Sequence, residues 1–341
     1  MPLQTSSTQT PMRLLSMSHG LIIQQALYAA AKLGVADLLQ NGPQISSVLA
    51  RDLEVNEPAL CRILRLLASQ SVFEETSPRT FANTELSQCL RSSVPGSVRS
   101  IIIFRGSELF FGPFAEILYS VRTGKSARTE VFGMDGWEYL KQHPELARMF
   151  DDAMTDMSAL IAPMVANAYD FGRWGSIMDV GGGNGILLAS ILRAHPEARG
   201  VLADLPHVLE RAQQHGFLGG ELQARCAMHP CDFFREVPSG CRAYVMKSVI
   251  HDWDDEHAEE ILANCRRAVP ADGALLLVEW TLHEGNLYSA GKLFDVVMLV
   301  MTGGKERTAE EYRRLLARAG FRLNQVILSS SDFSIIEALP A

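Results

Sequence analysis

The feature that most constrains this chain is an alternation that begins after Gly175. Short apolar runs at residues 176–180, 200–203, 243–249 and 274–280 are separated by longer amphipathic stretches. Runs too short for helices and apolar on both faces read as buried strands, and strands separated by helices return in the same direction. The alternation predicts an α/β fold built on a doubly wound, mostly parallel, Rossmann-like sheet. In such a sheet ligands bind beyond the carboxyl ends of the strands, so the residues that close each run are the ones to read for chemistry.

The first run closes with Asp179-Val180-Gly181-Gly182-Gly183-Asn184-Gly185 and passes straight into an apolar helical stretch at residues 186–194. Glycines there let the backbone approach a ligand that a side chain would hold away. The spacing is G-x-G-x-G after a carboxylate, not G-x-G-x-x-G, and no P-loop lysine follows, which makes a pyrophosphate a poorer fit. The second run closes with Ala203-Asp204-Leu205-Pro206, about twenty residues on, where a carboxylate can accept both hydroxyls of a ribose. These two signals indicate adenosine and leave both NAD and S-adenosylmethionine open.

Three further strand ends add groups. Cys231-Asp232-Phe233-Phe234 sets a carboxylate beside aromatic rings, suited to an adenine amino group and ring face, although an aspartate is also common in turns. Lys247-Ser248-Val249-Ile250-His251-Asp252-Trp253 closes the third apolar run, and Glu279 falls at the end of the fourth. A carboxylate at a neighbouring strand end can orient His251 and favour its protonated form during proton transfer, so His251 is read as a general base.

A length of 341 residues suits two domains, and the front of the chain has a different texture. Residues 14–39 carry apolar residues at helical spacing around Gly34, on more than one side, as in a helix that meets another subunit; a homodimer is expected. Residues 45–91 have the rhythm of a winged helix, but hold five arginines and no lysine against six acidic residues, without the basic footprint of a DNA reader. The net charge of −8 likewise disfavours a nucleic-acid partner. From about residue 100 to 165 the chain reads as helical and rich in Met, Phe and Trp, including Phe110, Phe111, Trp137, Phe150 and Met154. The expected division is an arm at 1–11, a winged-helix-like dimerisation domain at 12–100, a connecting region contributing to a substrate pocket at 101–165, and a catalytic domain at 166–341. Six cysteines without a C-x-x-C pair, no signal-peptide pattern and no apolar run long enough to span a membrane point to a soluble cytoplasmic protein.

Taken with Gly304-Lys305-Glu306-Arg307-Thr308 and the segment from His251 to His257, the glycine turn and Asp204-Leu205-Pro206-His207-Val208 resemble the plant caffeic-acid-type and bacterial secondary-metabolite O-methyltransferases. The resemblance covers most of the chain. It implies His251 as base with Glu279 and Glu306 flanking it, and no metal. Its cofactor set is Asp179, Gly181, Gly183, Asp204, Leu205, Asp232, Phe233, Lys247 and Ser158, with Asp204 on the ribose, Asp232, Phe233 and Lys247 at the adenine, and Gly181 against the methionine part. The acceptor set it implies is Phe150, Met154, Asp252, Met298 and Met301. Asn184 stands where many relatives have threonine and Cys231 where many have glycine, and residues 299–303 depart from the plant pattern, which bears on the acceptor's identity.

The expected reaction moves a methyl group from S-adenosylmethionine to a hydroxyl of a small aromatic molecule, leaving S-adenosylhomocysteine. A phenol titrates near pH 10 and is a poor nucleophile until a base takes its proton. The competing readings are a nicotinamide-dependent oxidoreductase, a non-enzymatic DNA-binding regulator and a family member that binds the same cofactor for another reaction.

Overall fold

A computed structural model describes residues 9–92, 94–330 and 333–341, so most of the arm expected at 1–11 lies outside the described residues, while residues 9–11 open the first helix. The chain separates into two compact units, one made of the residues up to Gly112 with His143–Met157, the other of Pro113–Gln142 with Ser158–Ala341.

In the first unit, helices Gln9–Ser18 and Gly20–Leu33 precede a stop at Gly34, whose φ of 76° is the left-handed conformation that lets its N–H reach the carbonyls of Ala30 and Ala31. Ala26, Ala30 and Ala31 are buried, and small side chains on that face allow close approach of helix Arg99–Gly106. Even a methyl group at Gly106 would overlap the Tyr28 ring. Helix Glu57–Ser69 is capped by the Asn56 side chain, which accepts from Ala59 N at 3.0 Å, and buries Leu60, Cys61, Leu64 and Leu67. Strands β1 (Gln44–Ile45), β2 (Phe73–Ser77) and β3 (Thr80–Asn83) form a small antiparallel sheet in the order β1-β3-β2, which completes the winged-helix-like arrangement. Met12, Leu14, Leu15, Met17, Leu21 and Ile22 are exposed on the first two helices, an apolar surface of the kind that a second subunit covers.

The second unit holds the large sheet. β4 (Ser176–Val180), β5 (Arg199–Asp204), β6 (Cys226–Pro230), β7 (Ala243–Lys247) and β8 (Ala274–Leu282) are parallel neighbours in the order β6-β5-β4-β7-β8. The order reverses at β4, so the crevice beyond β4 and β7 is the topological switch point where such sheets bind ligands. The short strand β9 (Arg307–Thr308) pairs with the end of β8. Two strands that the apolar runs did not announce, β10 (Phe321–Leu328) and β11 (Phe333–Pro340), close the edge antiparallel, β11 lying against β8.

Two strand ends differ from the sequence reading. β7 stops at Lys247 rather than 249, because Ser248 adopts φ 54° and turns the chain into a tight helical turn, Ile250–Asp252. β8 runs on to Leu282, so Glu279 is inside its strand, opposite Ser334 of β11, and not at its end. Val278 pairs with Lys247, so Glu279 lies one step beyond the point where β7 has already turned away.

Candidate functional site

The glycine turn after β4 is stitched to its neighbour by Gly181 N donating to Ala203 O at 2.8 Å. Gly181, Gly183 and Gly185 have φ of 69°, 58° and 79°, conformations that side-chain-bearing residues rarely adopt. At Gly181 space also matters: a Cβ would stand 3.1 Å from Val249 Cγ2 and 3.5 Å from Phe233 Cε1, closing the lane between the turn and those two side chains. Asp204 ends β5 and reaches back over the turn, its Oδ2 accepting from Gly183 N at 2.9 Å and its Oδ1 from Leu205 N at 2.7 Å. Each oxygen keeps a further lone pair for a diol. Burial pushes the Asp204 carboxyl upward, and the two backbone donors oppose that shift.

Asp179 is 1 % exposed, and neither carboxylate oxygen has a hydrogen-bond partner among the described residues. Burial drives its pKa up to about 7, against the pull of Lys247 and helped by the Asp204 charge. Lys247, last in β7, is shifted down by burial while Asp179 and Glu279 favour its charge. A buried carboxylate left open beside a glycine turn fits a ligand that brings its own donors or positive charge.

Asp232 follows β6, and its Oδ1 accepts from Phe234 N at 3.1 Å while its Oδ2 lies 3.4 Å from Arg235 Nε, so it has a turn-closing role besides anything it offers a ligand. Phe233 is fixed from behind: its carbonyl accepts from Asn264 Nδ2 at 2.7 Å, and Trp253 stands edge-on 6.5 Å from its ring. Ser158 is half-buried and is the first residue of this unit within helix Pro144–Ala168.

One strand over from the glycine turn, His251 is 7 % exposed on the turn after β7. Its Nδ1 lies 2.8 Å from Glu306 Oε1 and 3.6 Å from Glu279 Oε2; among the described residues the one carboxylate near its Nε2 is Asp252, whose Oδ1 is 3.9 Å away. The carboxylate of Glu279 is itself held, Oε1 accepting from Val249 N at 3.1 Å and Ile250 N at 2.9 Å. Burial works against a charged ring, but Glu279, the Glu306 hydrogen bond and Asp252 together outweigh it and raise His251 to about 10. Burial in turn raises Glu279 to about 7, against the attraction of His251. The cluster therefore favours imidazolium, with Nδ1 committed to the two glutamates and Nε2 turned away from them. The ligating atoms of His251, Glu279 and Glu306 also lie within 4.8 Å of one another, a spacing that can hold a cation.

Arg307, which the sequence offers only as part of a motif, is the brace of this turn. It is fully buried, with Nη1 donating to Ile250 O at 3.1 Å, Nη2 to Trp253 O at 2.9 Å, and Nε and Nη2 both to Asp255 Oδ1. Lys305 N donates to His251 O at 2.9 Å, and Gly304 has no room for a side chain against the His251 and Asp252 backbone. Glu306 N donates to Asp295 Oδ1 at 3.0 Å; Asp295 is on helix Ala290–Met301. Met298, three residues on and on the same helix face, and Met301 are both buried. The remaining acceptor residues, Phe150 and Met154, belong to the first unit, where Phe150 packs edge-on against Phe104 at 5.6 Å. Trp253, Asn264, Asp295 and Arg307 acquire parts in the site that no strand-end rule would have given them.

Comparison with known proteins identifies the family of the chain. The O-methyltransferase domain family matches residues 114–322, and the O-methyltransferase dimerisation domain family matches residues 15–93. A phenazine O-methyltransferase, PhzM, of Lysobacter antibioticus is 43% identical over 96% of this chain and 95% of its own. The crystal structure of LaPhzM superposes with a TM-score of 0.93 at 42% identity, covering 97% of this chain and 99% of that one. The O-methyltransferase NcsB1 from neocarzinostatin biosynthesis, solved with S-adenosyl-L-homocysteine and 1,4-dihydroxy-2-naphthoic acid, has a TM-score of 0.78 at 31% identity over 93% of this chain and 96% of its own. The open Asp179 carboxylate, the remaining lone pairs of Asp204 and the glycine lane are chemically compatible with a ligand of this kind. With both domains matched and the switch-point crevice furnished in this way, the chain belongs to the O-methyltransferase family and is an S-adenosylmethionine-dependent methyltransferase.

Proposed function

We propose that this enzyme methylates a hydroxyl oxygen of a small aromatic acceptor of the natural-product type, with His251 as the general base. The observation that carries the proposal is the asymmetric environment of the imidazole: Nδ1 is anchored by Glu306 at 2.8 Å and Glu279 at 3.6 Å, leaving Nε2 as the atom that can take a proton. The aromatic acid bound to NcsB1 and the phenazine named for the Lysobacter relative support an aromatic acceptor. When bound, S-adenosylmethionine supplies an electrophilic methyl on a sulfonium, whose positive charge opposes the two glutamates and brings the ring's pKa back toward the working range.

Within this reading Asp204 receives the ribose hydroxyls, Asp232, Phe233 and Lys247 flank the adenine, and Gly181, Gly183, Leu205, Asp179 and Ser158 complete the donor site. Asp252, Met298 and Met301 line the acceptor site within the second unit, and the first unit pairs two subunits. His251 Nε2 accepts the hydroxyl proton, and Glu306 and Glu279 stabilise the imidazolium that results. Alignment of acceptor and methyl donor and exclusion of water by apolar side chains supply the remainder.

The test is His251→Ala, assayed for methylation of a hydroxyarene and, in parallel, for S-adenosylmethionine binding by calorimetry. Turnover should fall by about 10²–10⁴-fold with donor affinity nearly unchanged. Turnover close to that of the wild type removes His251 from the role of base.

A further inference from the structure

Beside the catalytic turn lies a buried charge that the methyl-transfer reading does not use. Arg128 sits in the first turn of helix Ala127–Phe132 and is only 4 % exposed. The helix is docked by its cap residue: Ser126 Oγ lies 3.1 Å from both Val300 O and Met301 O, at the end of helix Ala290–Met301. From there residues 302–305 lead directly to the contacts of Gly304 and Lys305 with the His251 and Asp252 backbone. Arg128 is thus placed next to the reacting region by a continuous set of contacts within one unit.

The guanidinium has been given room but no hydrogen-bond partner among the described residues. It lies across Gly136, where any side chain would collide with it, and its Cζ is 5.8 Å from the centre of the Trp137 ring. Nε is buried without a hydrogen bond, and among the described residues none of the Arg128 nitrogens makes a hydrogen bond or an ion pair. Asp252 and Asp135 are near enough to favour its charge, while burial opposes it. Asp252 is in turn lifted by burial and drawn down by His251 and Arg128. Neither aspartate closes the gap to a bond. Arginine carries five N–H donors in a planar fork and keeps its charge under ordinary conditions, so a buried guanidinium with all five unused is a site awaiting an anion.

We propose that Arg128 binds a carboxylate carried by the acceptor, so that the preferred substrates are hydroxylated aromatic acids. A carboxylate matches the fork with two parallel hydrogen bonds and neutralises the charge, which a neutral hydroxyl or carbonyl does not. The guanidinium stands over the Trp137 ring, 5.8 Å from its centre, a contact that supports its charge while leaving its N–H donors to an anion. Asp252 repels the acid from the His251 side, so the carboxylate is directed to Arg128 and the hydroxyl to His251 Nε2. This inference rests on the acceptor reading given above.

The test compares 1-hydroxy-2-naphthoic acid with 1-naphthol on the full-length protein loaded with S-adenosylhomocysteine, by calorimetry, and in turnover with S-adenosylmethionine. Wild type should bind the acid at least about tenfold more tightly than the naphthol. Arg128→Met should weaken acid binding by about ten- to a hundredfold, as expected for loss of a charge-assisted pair, and erase the preference; Arg128→Lys should restore part of it. Wild type that does not prefer the acid, or an Arg128→Met variant that weakens both ligands by the same factor, overturns the assignment. Because binding is read without chemistry, acid binding that depends on Arg128 in a protein that methylates neither compound refutes the hydroxyl-methylation reading while retaining the carboxylate site.

Discussion

Replacing Glu306 by glutamine is the sharpest probe of the base, because it keeps the shape of the side chain and a hydrogen bond while removing the charge. Glu306 Oε1 and His251 Nδ1 are 2.8 Å apart, and both side chains are buried. A hydrogen bond to a charged group contributes about 1.5–3 kcal/mol and a neutral one about 0.5–1.5, so the change removes on the order of 1–1.5 kcal/mol of preference for imidazolium. One pKa unit corresponds to about 1.36 kcal/mol, so His251 should move down by about one unit from its present value near 10. Glu279 remains 3.6 Å from Nδ1 and keeps the ring above the ordinary histidine value. A base acts only when unprotonated, so activity is lost as pH falls through the pKa that His251 has in the working complex. In Glu306→Gln that acid limb should shift down by about one unit, while the plateau above it drops by about tenfold because the imidazolium formed is less well stabilised. The assay is kcat between about pH 6 and about pH 10, with saturating donor and one hydroxyarene, product being measured by chromatography. An acid limb that does not move refutes the reasoning, since Glu306 would then not be setting the ring's protonation.

Two further outcomes follow from the same geometry. Asp179, raised to about 7 mainly by burial, binds a proton more tightly when folded, so its contribution to stability is present below the ordinary carboxyl pKa and lost as pH rises through about 7. Asp179→Asn should accordingly melt a few degrees above wild type at about pH 8, converge with it near pH 4, and bind S-adenosylmethionine more weakly; equal melting temperatures at both pH values contradict the account. Treatment with EDTA should leave methylation unchanged, as Nδ1 of His251 is already satisfied by Glu306. Loss of activity restored by a divalent cation would reassign His251, Glu279 and Glu306 as a metal centre.

Much of this architecture was legible in the chain, for identifiable reasons. The parallel strands are buried on both faces and so appear as uninterrupted apolar runs: Ile177, Val245 and Leu276 are each fully buried. β10 gives no such signal, because most of its residues are partly or wholly exposed and only Phe321 is fully enclosed. β11 carries Glu337 in a mostly apolar run, and that charge is accommodated by tertiary partners, Tyr169, Asn324, Gln325 and Arg173. The strand-end carboxylate Asp204 was readable from its interval after the glycines. Arg128 was not, since its neighbours in sequence are exposed or apolar and what distinguishes it is a missing hydrogen-bond partner among the described residues, a property that exists only once the chain has folded.

The separation between His251 and Glu306, fifty-five residues in sequence and 2.8 Å in space, shows why two distant motifs function as one. The segment after β7 cannot hold its own shape: it begins with a left-handed Ser248 and exposes carbonyls at Ile250 and Trp253 that no strand or long helix satisfies. Arg307 satisfies both carbonyls and binds Asp255 at the start of the following helix, while its neighbour Glu306 takes the ring. A lysine at 307 has one nitrogen on a flexible stem and cannot span these acceptors, whereas the guanidinium fork can. The same backbone turn that carries His251 is therefore shaped by the residue adjacent to the one that orients its ring. Any shift of β9 along β8 moves Arg307 and Glu306 together, and with them both the position of His251 and its charge.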